Sequence, residues 1–96
     1  MWVLLAVVLK VNDLGMNVPV YDKPIINKTL SECNENMKKI HDEYKILKAN
    51  YPVEVEFKIN DNKQKYLKYT YKPDYTKPNI VTYYHCLKVY KKNENL

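Results

Sequence analysis

The chain has no arginine, one glycine, two alanines and two cysteines among its 96 residues. Each scarcity excludes something. Without arginine the bidentate fork that reads base edges is missing, so sequence-specific DNA recognition is not expected. With Gly15 alone, a glycine-rich phosphate loop cannot be built. Two cysteines, with no Cys-x-x-Cys and no second pair, do not make a zinc site, so neither metal nor cofactor is expected. Cys33 and Cys86 allow either one disulfide, as in a secreted chain, or two buried thiols, as in a cytoplasmic one. The reading adopted is thiols. The apolar opening, Trp2 to Leu9, is far below the ~20 residues that a spanning helix needs, so no membrane association is expected.

Lysine, asparagine, isoleucine and tyrosine are what the chain has in plenty. All sixteen basic residues are lysine, and the net charge is +5. Codons for the abundant residues are AT-rich, so base content of the genome accounts for part of this bias. The length fits one domain, residues 1–96, with a single core. Charge is uneven: Lys63, Lys65, Lys68, Lys72, Lys77, Lys88, Lys91 and Lys92 face only Asp74 in that stretch.

The best-specified segment runs from Thr29 to Pro52. Leu30, Cys33, Met37, Ile40, Tyr44, Leu47 and Tyr51 alternate steps of three and four, the spacing of one helix face. Thr29 and Glu32 form a T-x-x-E capping box, and Pro52 ends the helix. Thr29 in this role also explains the sequon Asn27-Lys28-Thr29 without a glycan. Residues 2–11 read as a strand apolar on both faces, and alternatively as the hydrophobic part of a signal peptide, although no basic residue precedes it. Asn12 to Lys28, with Pro19 and Pro24, reads as an irregular connection in which Val18 to Tyr21 adds a short edge strand.

Val53, Val55, Phe57 and Ile59 alternate with Glu54, Glu56 and Lys58, a one-sided strand. Asp61-Asn62 supplies a tight turn into a return strand, Lys65 to Lys72. The last strand, Ile80 to Tyr90, is apolar on both faces. The expected fold is α+β in the order β-α-β-β-β: one long helix across a four-stranded, largely antiparallel sheet. A single helix covers one side only. If Cys86 approaches Cys33, then Val81, Tyr83, Leu87 and Val89 lie on the far face, an apolar surface that monomers seldom expose. Self-association through that face is therefore expected, giving a homo-oligomer. A coiled coil between helices of two protomers is the alternative use of the stripe.

An enzyme is not expected. His85 and Cys86 are adjacent in a strand and point to opposite faces, so they cannot form a dyad. A long-range pairing, Cys33 with His85 or Cys86 with His41, stays open, while His41 reads as solvated. The one stretch with binding chemistry is Lys63 to Lys92, where seven tyrosines sit among the eight lysines. Ammonium groups for phosphate and flat rings for a base suit an anionic nucleotide-like ligand. The candidate ligand residues are Tyr66, Lys68, Tyr69, Thr70, Tyr71, Lys72, Tyr75 and Lys88.

With Met1-Trp2 opening an apolar strand, Cys33 early in a helix and Cys86-Leu87-Lys88-Val89 in the last strand, the chain resembles short uncharacterised proteins of tailed bacteriophages. It is longer than they are, with a fuller central hairpin. The resemblance implies a small viral accessory protein from an AT-rich genome. The expected location is the cytoplasm of an infected host cell, or outside it if residues 1–11 are a signal peptide. The helix-across-sheet order is also similar to cystatins, but their Gln-x-Val-x-Gly hairpin is absent, so protease inhibition is not implied. Two functions are expected from different classes. One is a self-associating protein that binds a nucleotide or cyclic nucleotide, sequestering a host defence signal. The other is a virion subunit, or an inhibitor of a host protein, that uses the apolar face.

Overall fold

The structure, a computed structural model, describes residues 1–11, 17–21, 24–73 and 76–89. Six strands and one helix follow in the order β1 (Trp2–Val11), β2 (Asn17–Tyr21), β3 (Ile25–Asn27), α1 (Leu30–Leu47), β4 (Val53–Ile59), β5 (Lys65–Tyr71) and β6 (Ile80–Lys88). The fold is α+β, but the sheet has six strands where four were expected. Its order is β2-β1-β6-β5-β4, with β3 also bonded to β1, and every pairing is antiparallel. Residues 2–11 are thus a strand paired along both edges, with β2 and β3 on one side and β6 on the other.

The helix forms where its spacing puts it. The Thr29 hydroxyl accepts from the Glu32 amide at 3.1 Å, one half of the expected capping box. The other half is shifted by one residue: the Glu32 carboxylate accepts from the amide of Lys28 at 3.3 Å, not from that of Thr29. The apolar stripe lies on the chain's own sheet, which rules out the coiled coil. Only its centre is sealed. Cys33 and Met37 are fully buried with Leu4 and Leu67, while Ile40 packs against them from the flank. Leu30, Leu47 and Tyr51, at the two ends of the stripe, remain exposed.

Cys33 and Cys86 form a disulfide, correcting the reading of two thiols. It ties the second turn of the helix to the sheet's central strand. Strand β3 was not expected at all. It is held by Asn27, whose side-chain amide donates to the Ile25 carbonyl at 3.0 Å and whose side-chain oxygen accepts from Asn36 on the helix. Asn27 is 1% exposed, so this sequon asparagine offers no nitrogen to a glycan.

The hairpin between β4 and β5 turns differently from expectation. The loop is Asp61 to Lys63, closed by the Lys63 amide on the Asn60 carbonyl and by the Asn60 amide on the Gln64 carbonyl. The positive φ falls on Lys63, at 60°, rather than on Asp61 or Asn62. This is a three-residue hairpin ending in a left-handed residue. Asn60 stabilises it by accepting from the amides of Asn62 and Gln64, both at 2.9 Å. Strand β6 ends at Lys88; Tyr90 lies outside the described residues.

Candidate functional site: the open face of the sheet

Cross-strand register sorts every sheet residue onto one of two faces. Cys86 marks the helix side, and with it lie Trp2, Leu4 and Ala6 of β1, Thr82 and Tyr84 of β6, Leu67, Tyr69 and Tyr71 of β5, and Val53, Val55 and Phe57 of β4. The opposite face carries Val3, Leu5, Val7 and Leu9, then Val81, Tyr83, His85 and Leu87, then Tyr66, Lys68 and Thr70, then Glu54, Glu56 and Lys58. Among the described residues no helix or strand lies over this second face. Val81, Tyr83 and Leu87 occupy the side expected for them. Leu87 and Val89 are 43% and 39% exposed, and Ile26 of β3 is 66% exposed beside Val3.

The face is graded. Reading across the strands, Leu5 neighbours His85, which neighbours Tyr66, which neighbours Lys58. The next row runs Val7, Tyr83, Lys68, Glu56, and the next Leu9, Val81, Thr70, Glu54. Aliphatic residues thus fill the β1 end, aromatic rings the middle and charges the β4 edge. The rings are in contact: Tyr66 stacks on His85 with centroids 5.1 Å apart, and Tyr83 lies 6.1 Å from Tyr66 and 6.5 Å from His85. Burial between these neighbours pushes the His85 imidazole below its usual pKa, because the charged form loses water. At the charged edge, Lys72 reaches Glu54 at 3.2 Å and Lys58 reaches Glu56 at 3.5 Å.

The expected ligand residues do not form one site. Tyr66, Lys68, Thr70 and Lys72 share the open face. Tyr69 and Tyr71 are on the helix side, where Tyr69 stacks on Tyr44 at 3.8 Å between centroids. Tyr71 there lines a shallow apolar hollow with Leu47, Tyr51, Val53 and Tyr69. Lys88 is also on the helix side, at the opposite end of the sheet beside Trp2. Tyr75 lies outside the described residues. Sequence reading missed His85, which completes the ring cluster. Strand parity already placed it beside Tyr83, but its contact with Tyr66 depends on the β5–β6 register.

On the helix side the Tyr44 and Tyr84 hydroxyls are 2.6 Å apart. Burial, and after it the charges that Tyr44 and Tyr71 would carry, raise the Tyr69 pKa above 10.0. His41 is not a solvated side chain: it stacks on Phe57 at 4.5 Å, and its ring is 15% exposed. Both cysteines are in the bridge, and His85 is on the face away from it, so neither long-range Cys–His pair exists. Among the described residues no three His, Cys, Asp or Glu side chains converge. No helix among them is long and apolar enough to cross a membrane. No protein-family model, curated protein or solved structure matches the chain.

Proposed function

We propose that this chain is a non-enzymatic interaction protein that works through the open face of its sheet, and that the first occupant of the face is a second copy. The observation that carries this is the grading of the face. Val3, Leu5, Val7, Leu9, Val81 and Leu87 form one continuous aliphatic field along β1 and the adjoining β6, where a lone protomer would leave it against water. A two-fold pairing of the field removes it from water on both copies at once. The disulfide favours an oxidising compartment over the host cytoplasm, and so favours the protein-binding reading over capture of a cytoplasmic nucleotide signal.

The test is the native mass of the assembly by light scattering over a concentration series. Leu87→Glu, at a position that is exposed in the protomer, is expected to lower the mass while the circular dichroism spectrum is unchanged. A wild-type chain that stays monomeric into the millimolar range overturns the proposal.

A second reading, a nucleotide-like anionic ligand, draws on the contact between Tyr66 and His85 with Lys68 one row away. A base stacked on such a ring gains roughly 1–3 kcal/mol. Against it, Lys58 and Lys72 already sit beside carboxylates. Thermal shift with nucleotides at millimolar concentration tests it, and no stabilisation by any of them ends it. Membership among viral accessory proteins remains a proposal that rests on the resemblance alone.

A further inference from the structure

Strand β4 is the outer strand of the sheet, bonded to β5 along one edge and, among the described residues, to no strand along the other. Two hydrogen bonds fix which of its backbone groups look outward. The Lys72 amide donates to the Pro52 carbonyl and the Asn60 amide to the Gln64 carbonyl, both at 2.9 Å. Direction alternates along an antiparallel strand, so Glu54, Glu56 and Lys58 turn their backbone groups toward β5. Val55, Phe57 and Ile59 then present theirs to the open edge, while the Val53 amide is taken by the Tyr51 carbonyl at 2.8 Å. Proline, a bulge or a row of lysines commonly blunts such an edge. Here the strand proper has no proline, Lys58 is opposed by Glu56, and Ile59 stands 71% exposed.

We propose that this edge pairs antiparallel with the same edge of a second copy, about a two-fold axis at Phe57. Charge selects the register. Centring the pair on Val55 sets Glu54 against Glu56 of the second copy, and centring it on Glu56 sets that carboxylate against itself. Centring on Phe57 sets Glu56 against Lys58 of the second copy, and by symmetry Lys58 against Glu56. Val55 then lies opposite Ile59, and Phe57 opposite Phe57. Outward-facing backbone makes Val55/Ile59 and Phe57/Phe57 the hydrogen-bonded pairs, each exchanging two N–H···O bonds. Glu56/Lys58 become non-hydrogen-bonded pairs, in which opposed side chains approach most closely.

The opposite charges therefore take the tightest positions, and the apolar residues extend the helix-side layer across the joint. The contact is isologous and closes on itself, so the edge is used up without open-ended growth. The axis stands perpendicular to the sheet, which leaves both helices on one side and both open faces on the other. This contact does not rest on the open-face association, and it uses none of the residues of the aliphatic field.

The test uses the full chain with its disulfide intact and reads native mass. Lys58→Glu puts carboxylates opposite one another in both charged pairs, and Glu56→Lys puts ammonium groups there. Each variant is expected to show half the wild-type mass with an unchanged circular dichroism spectrum. An equimolar mixture of the two variants is expected to restore the wild-type mass as a mixed assembly, because every pair is again of opposite sign. Loss of the Lys58–Glu56 contact inside one protomer cannot be repaired by mixing, so restoration reports the contact between copies. Single variants that keep the wild-type mass, or a mixture that stays at half mass, overturn the proposal. If Leu87→Glu lowers the mass while the edge variants do not, the open face alone carries association.

Discussion

Cys33, fully buried on the helix, is covalently joined to Cys86 of the central strand across a sequence separation of 53 residues. That bond matters because the rest of the helix is lightly held. Cys33 and Met37 are its only buried residues, and three of the seven residues of its apolar stripe are exposed. In the chain-entropy account a loop of this length contributes about 4 kcal/mol. Replacing both cysteines by alanine is expected to remove about that much, read as a lower denaturant midpoint in urea. Wild type titrated with a dithiol reductant should approach the same midpoint. Equal midpoints for oxidised and reduced protein would show the bridge to be idle.

Met37 is the other half of the helix's anchorage, packed among Leu4, Leu67 and Cys33 with no exposed surface. Met37→Ala leaves a cavity under the helix and is expected to cost 2–5 kcal/mol, in the usual range for such truncations. Ile46→Ala, at a site 75% exposed, is the control and should change stability by less than about 0.5 kcal/mol. Chemical denaturation of both variants checks the contrast, and equal losses would remove the buried-centre account of the stripe.

How much of this could be read from the chain follows from which signals are local. The helix, its Thr29 cap and the alternation in Val53 to Ile59 are periodic over a few residues, and they appear where expected. The two faces of the last strand are likewise a matter of parity, which is why Val81, Tyr83 and Leu87 were placed correctly. With two cysteines the partners of a disulfide were never in doubt, but residues 53 positions apart carry no local sign of whether they meet, so the choice between bridge and thiols was not legible. Strand β3 was hidden for the same reason: three residues behind Pro24 become a strand only because β1 and Asn36 receive them. The ligand residues divide between the two faces of the sheet. Strand parity already set Tyr69 and Tyr71 on the face opposite Tyr66 and Lys68, and composition gathered them together regardless, along with Lys88 from another strand.

The helix start offers a cleaner local test. Thr29→Ala removes the hydroxyl that accepts from the Glu32 amide and is expected to cost about 1 kcal/mol. Glu32→Gln keeps an acceptor for the Lys28 amide but loses its charge near the positive end of the helix, costing about 0.3–1 kcal/mol. Because the two groups satisfy different amides, the double variant should lose close to the sum. Thermal denaturation of the single and double variants measures this, and a double variant no worse than Thr29→Ala would show the carboxylate to be without effect.

His85 is expected to make the open face sensitive to acid. Its pKa is lowered by burial among Tyr66, Tyr83 and Leu5, and the charged groups nearest in the register are Lys58, Lys68 and Glu56. Below the unfolded value of 6.5 the unfolded chain takes up the proton before the folded one does, so stability falls as pH drops from 6.5 toward the lowered folded value. Above 6.5 both states are neutral at this residue and it adds no slope. His85→Gln is expected to flatten the stability profile across that acidic window and leave the profile above pH 7 unchanged. Urea denaturation at intervals from pH 5 to pH 8 measures both arms. The same experiment read as native mass reports on assembly: if copies meet across this face, wild type should dissociate on acidification in the window where His85 charges, and His85→Gln should not. A wild-type slope retained by His85→Gln would show that His85 is not its source.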